Sequence, residues 1–308
     1  MSLAFLPLDI ECCFVTTAIL PVFKGSTLRG AFGHALKKVA CTLRNQQCES
    51  CLLNSSCAYA LMFATEKLQE SRVSARPHPY ILLPPTEEKR EYQPGDTLRF
   101  GLTLLGPATG FLPHIIYCLQ EMGNSGLGKG TKRQEGRYVL SSVSVAGKII
   151  YSGDEKRLSA VKPEQLALAP GGDSASHIIF SLQSPLRLKF ENFFLRRITF
   201  LHLVRAALRR IHILESSYGD PNLSYDFKRL CAMAEQISTA ADSTRWIEYQ
   251  RYSNRQKNNM LFGGVMGELS FAGELDEYLP FFRYAERVGL GKQTAFGFGQ
   301  IEVQAKDE

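Results

Sequence analysis

The sequence of 308 residues has no run of about 18 uninterrupted apolar residues, the length a helix needs to cross a bilayer, so no transmembrane helix is expected. Its start, MSLAFLPLDIECC, lacks the basic residues and following apolar stretch of a secretory signal, which predicts a cytoplasmic location with no membrane partner. Charge of one sign is not in strong excess: 36 Lys and Arg face 30 Asp and Glu, a formal +6. That is too mild to identify a nucleic-acid partner, so the distribution of charge has to decide. Histidine is scarce, six in all, which leaves few imidazoles for proton transfer. No sequence repeat relates the two halves.

What is present suffices for two cores. Apolar residues make up 44%, and the length suits two domains of ordinary size. Leu8, Ile10, Cys12 and Phe14 alternate with more polar neighbours, the period of a strand. Gly25–Ala40 reads as a helix, capped by Ser26 or Thr27, with Leu28, Phe32, Leu36 and Val39 as its apolar stripe. A helix around Ala58–Leu68 follows a cysteine-rich loop. Leu98–Leu104 is a strand after the turn Pro94-Gly95-Asp96, residues 111–122 are helical, and Val139–Tyr151 is a hairpin turning near Ala146-Gly147. Pro163, Pro170, Gly171 and Gly172 mark a linker over 156–176.

The order then recurs: strands from Ile178 to Leu188, a long helix Glu191–Glu215, strands Trp246–Gln256 and Met260–Phe271, a helix capped by Asp276 through Val288, and a closing strand Ala295–Val303. The expected fold class is α+β, an N-terminal domain over 1–155 and a C-terminal domain over 177–308, each of strand–helix–strand order.

Four constellations can carry chemistry. Gly289-Leu-Gly-Lys-Gln-Thr-Ala-Phe-Gly-Phe-Gly299 lies between a helix and a strand. Its glycines Gly289, Gly291, Gly297 and Gly299 would let backbone N–H groups approach a phosphate, with Lys292 adding a charge; the alternative is a tight turn into a bulged strand. A second glycine run, Gly123–Arg137, fails as a P-loop because Gly130 stands where Ser or Thr should bind magnesium and a helix precedes it. It reads better as a mobile basic loop contacting a polyanion through Lys129, Lys132, Arg133 and Arg137, or as a solvated surface loop.

The first helix region carries Lys24, Arg29, Lys37, Lys38 and Arg44 with no acid between them. His34 and Lys38 lie four apart on one helical face, with Lys37 flanking. Lysines beside an imidazole favour its neutral form, able to accept a proton near neutral pH; a satisfied structural histidine is the plainer reading. His202 and His212, on the Arg-rich long helix, are reserves. Along Trp246–Lys257, Tyr249, Arg251, Ser253 and Arg255 share one strand face, suited to stacking bases and holding phosphates or to a solvated edge.

Cys41-x6-Cys48-x2-Cys51-x5-Cys57 can close a structural zinc site. An iron–sulfur cluster is the rival, and four unligated thiols in a reducing cytosol are the remaining reading. Cys12, Cys13, Cys118 and Cys231 read as core thiols.

Together these residues resemble the RAMP superfamily of CRISPR-associated proteins. The loop Gly289–Gly299 looks like its signature. Tyr249–Gln256 followed by Gly263-Gly-Val-Met-Gly267, the opening Phe23–Lys37 and the cysteine loop are similar to its pre-crRNA-processing endoribonuclease branch. The resemblance implies two tandem ferredoxin-like (RRM-like) domains with a cysteine-rich insertion, holding RNA across or between them. It implies a metal-independent endoribonuclease, needing no cofactor for catalysis, that cleaves CRISPR repeat RNA (pre-crRNA) by 2′-OH attack, leaving 2′,3′-cyclic phosphate and 5′-OH ends. His34 matches the family's usual catalytic histidine, Lys37 or Lys38 would stabilise the phosphorane, and Arg29 would position the phosphate. Two departures stand out. The family's tyrosine near the end of the first strand is absent from Thr17-Ala-Ile-Leu20, and Gly289 stands where related chains often carry a histidine. A non-catalytic RNA-binding subunit of a CRISPR effector complex, with protein partners there, is therefore the alternative, and a zinc-stabilised protein-assembly module the third.

Overall fold

A computed structural model describes residues 2–43, 47–65, 76–168, 174–253 and 258–307. The chain divides into an N-terminal unit, essentially Leu3–Gln165, and a C-terminal unit from Leu166 onward, with only the short stretch Ser217–Gly219 grouping with the first.

The N-terminal unit runs β1 (Leu3–Phe14), β2 (Ala18–Ile19), α1 (Gly25–Ala40), α2 (Ala58–Phe63), β3 (Tyr80–Leu83), β4 (Glu91–Tyr92), β5 (Thr97–Leu105), α3 (Leu112–Ser125), β6 (Tyr138–Val145), β7 (Lys148–Ser152), β8 (Arg157–Leu158) and β9 (Glu164–Leu166). Its main sheet is ordered β3-β5-β1-β6-β7-β8, and β9 also pairs with β1. The stretch β6-β1-β5-β3 is the fourth–first–third–second order of a ferredoxin-like sheet. Leu8, Ile10, Cys12 and Phe14 are all buried, as their period-two spacing requires. On the helices, Leu28, Phe32 and Leu36 of α1 and Ile115, Leu119 and Met122 of α3 bury their apolar stripes, and α1 packs against α3.

The C-terminal unit runs β10 (His177–Leu186), β11 (Lys189–Phe190), β12 (Phe193–Phe194), α4 (Phe200–Tyr218), α5 (Phe227–Ala234), β13 (Ser238–Asp242), β14 (Arg245–Ser253), β15 (Asn258–Ala272), α6 (Leu279–Val288) and β16 (Ile301–Lys306). Its sheet order β13-β15-β10-β16 repeats the N-terminal topology, with β14 also pairing to β15. An aromatic core joins sheet to helices: Phe180 meets Phe282 at 4.7 Å and Phe271 at 5.9 Å between centroids, and Phe200 meets both. Glu215, 3% exposed, is a buried carboxylate that is fully partnered. It accepts from Tyr284 Oη at 2.7 Å and from the Asp220 N–H at 2.7 Å, so it ties the end of α4 to α6 instead of standing as an uncompensated charge. Burial, followed by that hydrogen bond, pushes the Tyr284 phenol up. The architecture is thus α+β with two tandem ferredoxin-like folds. No helix among the described residues is long and apolar enough to cross a membrane.

Several expectations need correction. The segment 156–176 starts as sheet: Leu158 pairs with Tyr151 and Arg157 with Ser152. The long helix begins at Phe200, not Glu191, because Glu191 and Asn192 have φ of 47° and 71°, which no right-handed helix admits. Neither Ser26 nor Thr27 caps α1; the cap position is Lys24, without a side-chain bond. Asp276 caps no α-helix either: it accepts from the Ala175 N–H at 2.6 Å, and α6 follows a short 3-10 turn. Residues 294–296 form such a turn as well, so the last strand starts at Ile301. Neither α5, capped by Asp226 accepting from the Arg229 N–H at 3.0 Å, nor β13 was foreseen. Residues 66–68 of the expected second helix lie outside the described residues.

Candidate nucleic-acid interface

The basic run of the first helix is largely spent on structure. Lys24 is buried, and its Nζ donates to Glu87 O at 2.8 Å and Val22 O at 3.3 Å; burial lowers its pKa. Arg29 Nη2 donates to His78 Nε2 at 3.2 Å, while the other ring nitrogen of His78 donates to Met62 O at 2.8 Å. The guanidinium also sits 5.3 Å from the Phe63 ring centroid, which makes Arg29 a brace between α1 and α2. Lys38 Nζ meets Glu121 Oε2 of α3 at 2.5 Å, and this bond holds the Glu121 carboxyl below the usual range. Lys37 is exposed, its Nζ 5.7 Å from the Tyr59 ring centroid. His34 is exposed on the same helix and makes no hydrogen bond among the described residues. Arg44 lies outside them. Of six expected contributors, His34 and Lys37 keep side chains uncommitted to an ion pair or a buried hydrogen bond.

The two glycine runs prove to be one structure built twice. Laid together without a gap, Gly126–Arg137 and Gly289–Gln300 share Gly126 with Gly289, Leu127 with Leu290, Gly128 with Gly291, Lys129 with Lys292, Thr131 with Thr294 and Gly136 with Gly299. Each follows the second long helix of its unit and precedes the closing strand of the ferredoxin order. The hydrogen bonds repeat position for position. Leu127 and Leu290 N–H donate to Gly136 O and Gly299 O, both at 2.8 Å. Lys129 N–H donates to Ile19 O at 3.1 Å, and Lys292 N–H to Arg187 O at 2.9 Å. Gly136 N–H donates to Thr17 O at 2.7 Å, and Gly299 N–H to Pro185 O at 3.0 Å. Arg137 N–H reaches Thr16 Oγ1 at 2.8 Å, and Gln300 N–H reaches Ser184 Oγ at 2.9 Å. The absence of a repeat, expected from the sequence, is therefore corrected: a twelve-residue repeat exists, with its partner segments just after β1 and at the end of β10 with the residue that follows it.

This geometry also changes what the loops can do. In Gly289–Gly299, the N–H groups of Leu290, Lys292, Phe296, Gly297, Phe298 and Gly299 are all spent on protein carbonyls. Those six N–H groups brace the loop and are not offered to an anion. Gly123–Arg137 is likewise pinned to the β2 segment, which corrects the picture of a mobile loop. There Arg133 pairs with Glu135 at 2.8 Å, while Lys129 and Lys132 are exposed and Arg137 is half-buried.

Around the C-terminal loop the cations gather. Phe298 is fully buried and packs against Phe262 of β15 with ring centroids 4.3 Å apart; Phe296 meets the same ring at 5.2 Å. These rings root the loop and leave Lys292 at its rim. Burial first, then Arg209 and Lys189, pull Lys292 below the usual lysine range. Arg187 lies 3.9 Å from the Phe194 ring centroid, with Nη1 donating to Gln293 Oε1 at 3.1 Å. Arg196 lies 5.4 Å from Trp246. Such crowding of like charges is unfavourable alone and is relieved by a polyanion. Of the β14 residues, Tyr249 is half-buried opposite Phe262, Arg251 pairs with Met260 in register, and Arg255 lies outside the described residues. Arg187, Lys189 and Arg209 are not singled out by the sequence reading, although the basic residues on α4 were an available signal for Arg209. The reserve His202 accepts from the Thr199 N–H at 3.1 Å through Nδ1, and burial, then Arg205, lowers its pKa.

The cysteine loop carries partly exposed thiols at Cys41, Cys48, Cys51 and Cys57. Cys48 lies within electrostatic reach of Cys41, Cys57 and Lys37, and burial pushes its thiol up. Among the described residues, no group of three or more His, Cys, Asp or Glu side chains converges as a metal site. Cys12 and Cys118 are buried, and burial pushes both thiols well up; Cys13 and Cys231 are only half-buried.

Residues 180–301 match the family model of the CRISPR-associated endoribonuclease Cas6, and residues 3–164 match an N-terminal-domain model, AF_1859_N. An uncharacterized protein of Archaeoglobus fulgidus is 24% identical over 299 residues, 93% of each chain. A solved Cas6 product complex has a TM-score of 0.56 at 17% identity, over 97% of this chain and 100% of that one. A Thermus thermophilus Cas6 has a TM-score of 0.52 at 15% identity, over 99% and 100%. At such identities the likeness concerns the fold, and it agrees with the two ferredoxin-like units.

Proposed function

We propose that the chain is a Cas6-type endoribonuclease of CRISPR repeat RNA with His34 as its proton-transfer residue, a reading supported by the match of residues 180–301 to the Cas6 family model. The observation that carries this is the exposed imidazole on α1 beside the exposed Lys37, in a chain whose other unit bears a rooted, lysine-tipped glycine loop. In the reaction the upstream 2′-oxygen attacks the adjacent phosphorus, and the P–O5′ bond breaks. One proton leaves the 2′-hydroxyl and one arrives on the departing 5′-oxygen. His34 serves one of these transfers as base or acid. Lys37 faces the charge that builds on the phosphorane. Lys38 is the weaker candidate for that role because Glu121 already neutralises it. This chemistry needs no metal, so cleavage of repeat RNA should proceed in EDTA and stop when the scissile nucleotide carries 2′-deoxyribose. Cleavage of the deoxy RNA would defeat the reading.

RNA affinity comes from the two equivalent loops, through Lys292 with Arg187, Lys189 and Arg209 in one unit and through Lys129, Lys132 and Arg137 in the other. Each lost phosphate contact lowers the slope of log affinity against log salt by about 0.7 for single-stranded nucleic acid. Lys292→Glu and Lys129→Glu are each expected to flatten that slope by roughly this step. An unchanged slope in either variant removes that loop from the interface.

A second reading has its own support. Lys38 is paired, Arg29 is braced, and the family's additional tyrosine and histidine positions are Thr17–Leu20 and Gly289. A member that holds RNA without cutting it, as a subunit of a CRISPR effector complex, fits that thin inventory. Salt-sensitive binding of repeat RNA with no cleavage at stoichiometric enzyme would select it.

A further inference from the structure

β11 and β12 form a hairpin closed by Glu191 and Asn192, with Phe190 opposite Phe193 and Lys189 opposite Phe194. Both turn residues have positive φ, 47° and 71°, the pattern of a type I′ turn, whose twist suits the strands it joins. Glutamate has no intrinsic liking for that backbone, so the surroundings hold the hairpin. Leu195 N–H donates to Leu188 O at 3.0 Å, and the buried Leu188 roots the stem. The tip then lifts two large rings into solvent: Phe193 is 77% exposed and Phe194 42%.

The surroundings of these rings are cationic. From Arg187 to Arg210 the sequence holds seven Lys and Arg against the single acid Glu191. Arg187 covers one face of Phe194. On the other side of the hairpin, Arg205 lies 4.9 Å from the Phe190 ring centroid, and His202 meets the same ring at 5.4 Å. Phe193, cross-strand from Phe190, is the ring left open. A protein partner burying Phe193 would have to desolvate the neighbouring guanidinium groups. An unpaired nucleotide asks for both features at once, a π face for its base and cations for its phosphates.

We propose that the β11–β12 hairpin is a base-stacking platform. Phe193 stacks an unpaired nucleobase of bound RNA, and Arg205, Lys189 and Lys292 hold the neighbouring phosphates. This rests on the RNA-binding reading above and adds a site to it. Stacking on phenylalanine reads no donor–acceptor pattern, so the platform selects an unpaired base over a paired one without selecting its identity.

The test uses the full chain and repeat RNAs carrying 2-aminopurine at successive unpaired positions. Binding should shift the fluorescence strongly at one position or a few adjacent ones. Phe193→Leu keeps an exposed apolar side chain of similar reach and removes the aromatic face. It should abolish that local shift and weaken binding about 5- to 150-fold, the range of one lost base–aromatic stack. Its salt slope should stay at the wild-type value, since no phosphate contact is removed. Wild-type affinity and an unaltered fluorescence profile in Phe193→Leu would overturn the platform while leaving RNA binding intact. A Phe193→Leu variant that binds RNA normally but loses self-association, or association with another CRISPR protein, would assign the hairpin to protein docking instead. No salt-sensitive affinity of the wild type for any repeat RNA would overturn both readings together.

Discussion

His34→Ala should slow repeat-RNA cleavage by about two to four orders of magnitude, the usual contribution of a positioned acid or base, while RNA affinity changes little. The separation follows from the geometry. His34 is exposed and forms no hydrogen bond among the described residues, so truncating it opens no cavity and breaks no brace. The cations expected to hold phosphates are on other elements. Single-turnover cleavage and equilibrium binding, measured on the same RNA, check both halves. An equal loss of affinity and rate would make His34 a binding residue. An unchanged rate would move the proton transfer elsewhere, with His202 and His212 as the next residues to replace.

The second large effect concerns the duplicated loop. Gly299 has φ of 74°, and a Cβ there would overlap Leu290 O. That carbonyl belongs to the residue whose N–H donates to Gly299 O. Gly299→Ala therefore adds a left-handed backbone penalty of about 1–2 kcal/mol to a clash that can be relieved only by moving the backbone. A loss of roughly 3 kcal/mol or more is expected, or about 6–12 °C of melting temperature for a unit of this size. Gly136 has φ of 73° and would overlap Leu127 O in the same way, so Gly136→Ala should cost its own unit a comparable amount. Gly147, in the β6–β7 turn, is the control. Its φ is 77°, but a Cβ there meets nothing within 4 Å, so Gly147→Ala should cost only the conformational part. Thermal unfolding of the three variants checks this. Equal small losses in all three would mean that the loops adjust and that these backbone contacts do not hold them in place.

The parts of the fold governed by periodicity were legible in the sequence. α1 buries Leu28, Phe32 and Leu36 at helical spacing, and β1 buries every second residue from Leu8 to Phe14. What could not be read was long-range partnership. Lys24 looked like part of a basic face, but its ammonium is taken by the Glu87 carbonyl, 63 residues away. Lys38 looked free for chemistry, but α3 brings Glu121 to it. The two glycine loops differ in chemistry at Thr294-Ala295-Phe296 and Thr131-Lys132-Arg133, which hides their kinship in the sequence. Their shared backbone depends on glycine positions and on carbonyls from the segment after β1 and from the end of β10 with Arg187, which no local window contains. Glu191–Phe194, the turn and second strand of the hairpin, falls inside the helix expected from the sequence, because Asn192 is the one turn signal there. The choice of His34 as a candidate comes from the sequence, and its exposed setting on α1 comes from the structure.

The most direct measurement is the chemistry of the ends produced when the wild-type protein meets its repeat RNA in EDTA, read by mass spectrometry. The account predicts a 2′,3′-cyclic phosphate on the upstream product and a 5′-hydroxyl on the downstream one. A 3′-hydroxyl with a 5′-phosphate, or intact RNA bound at stoichiometric protein, would contradict it.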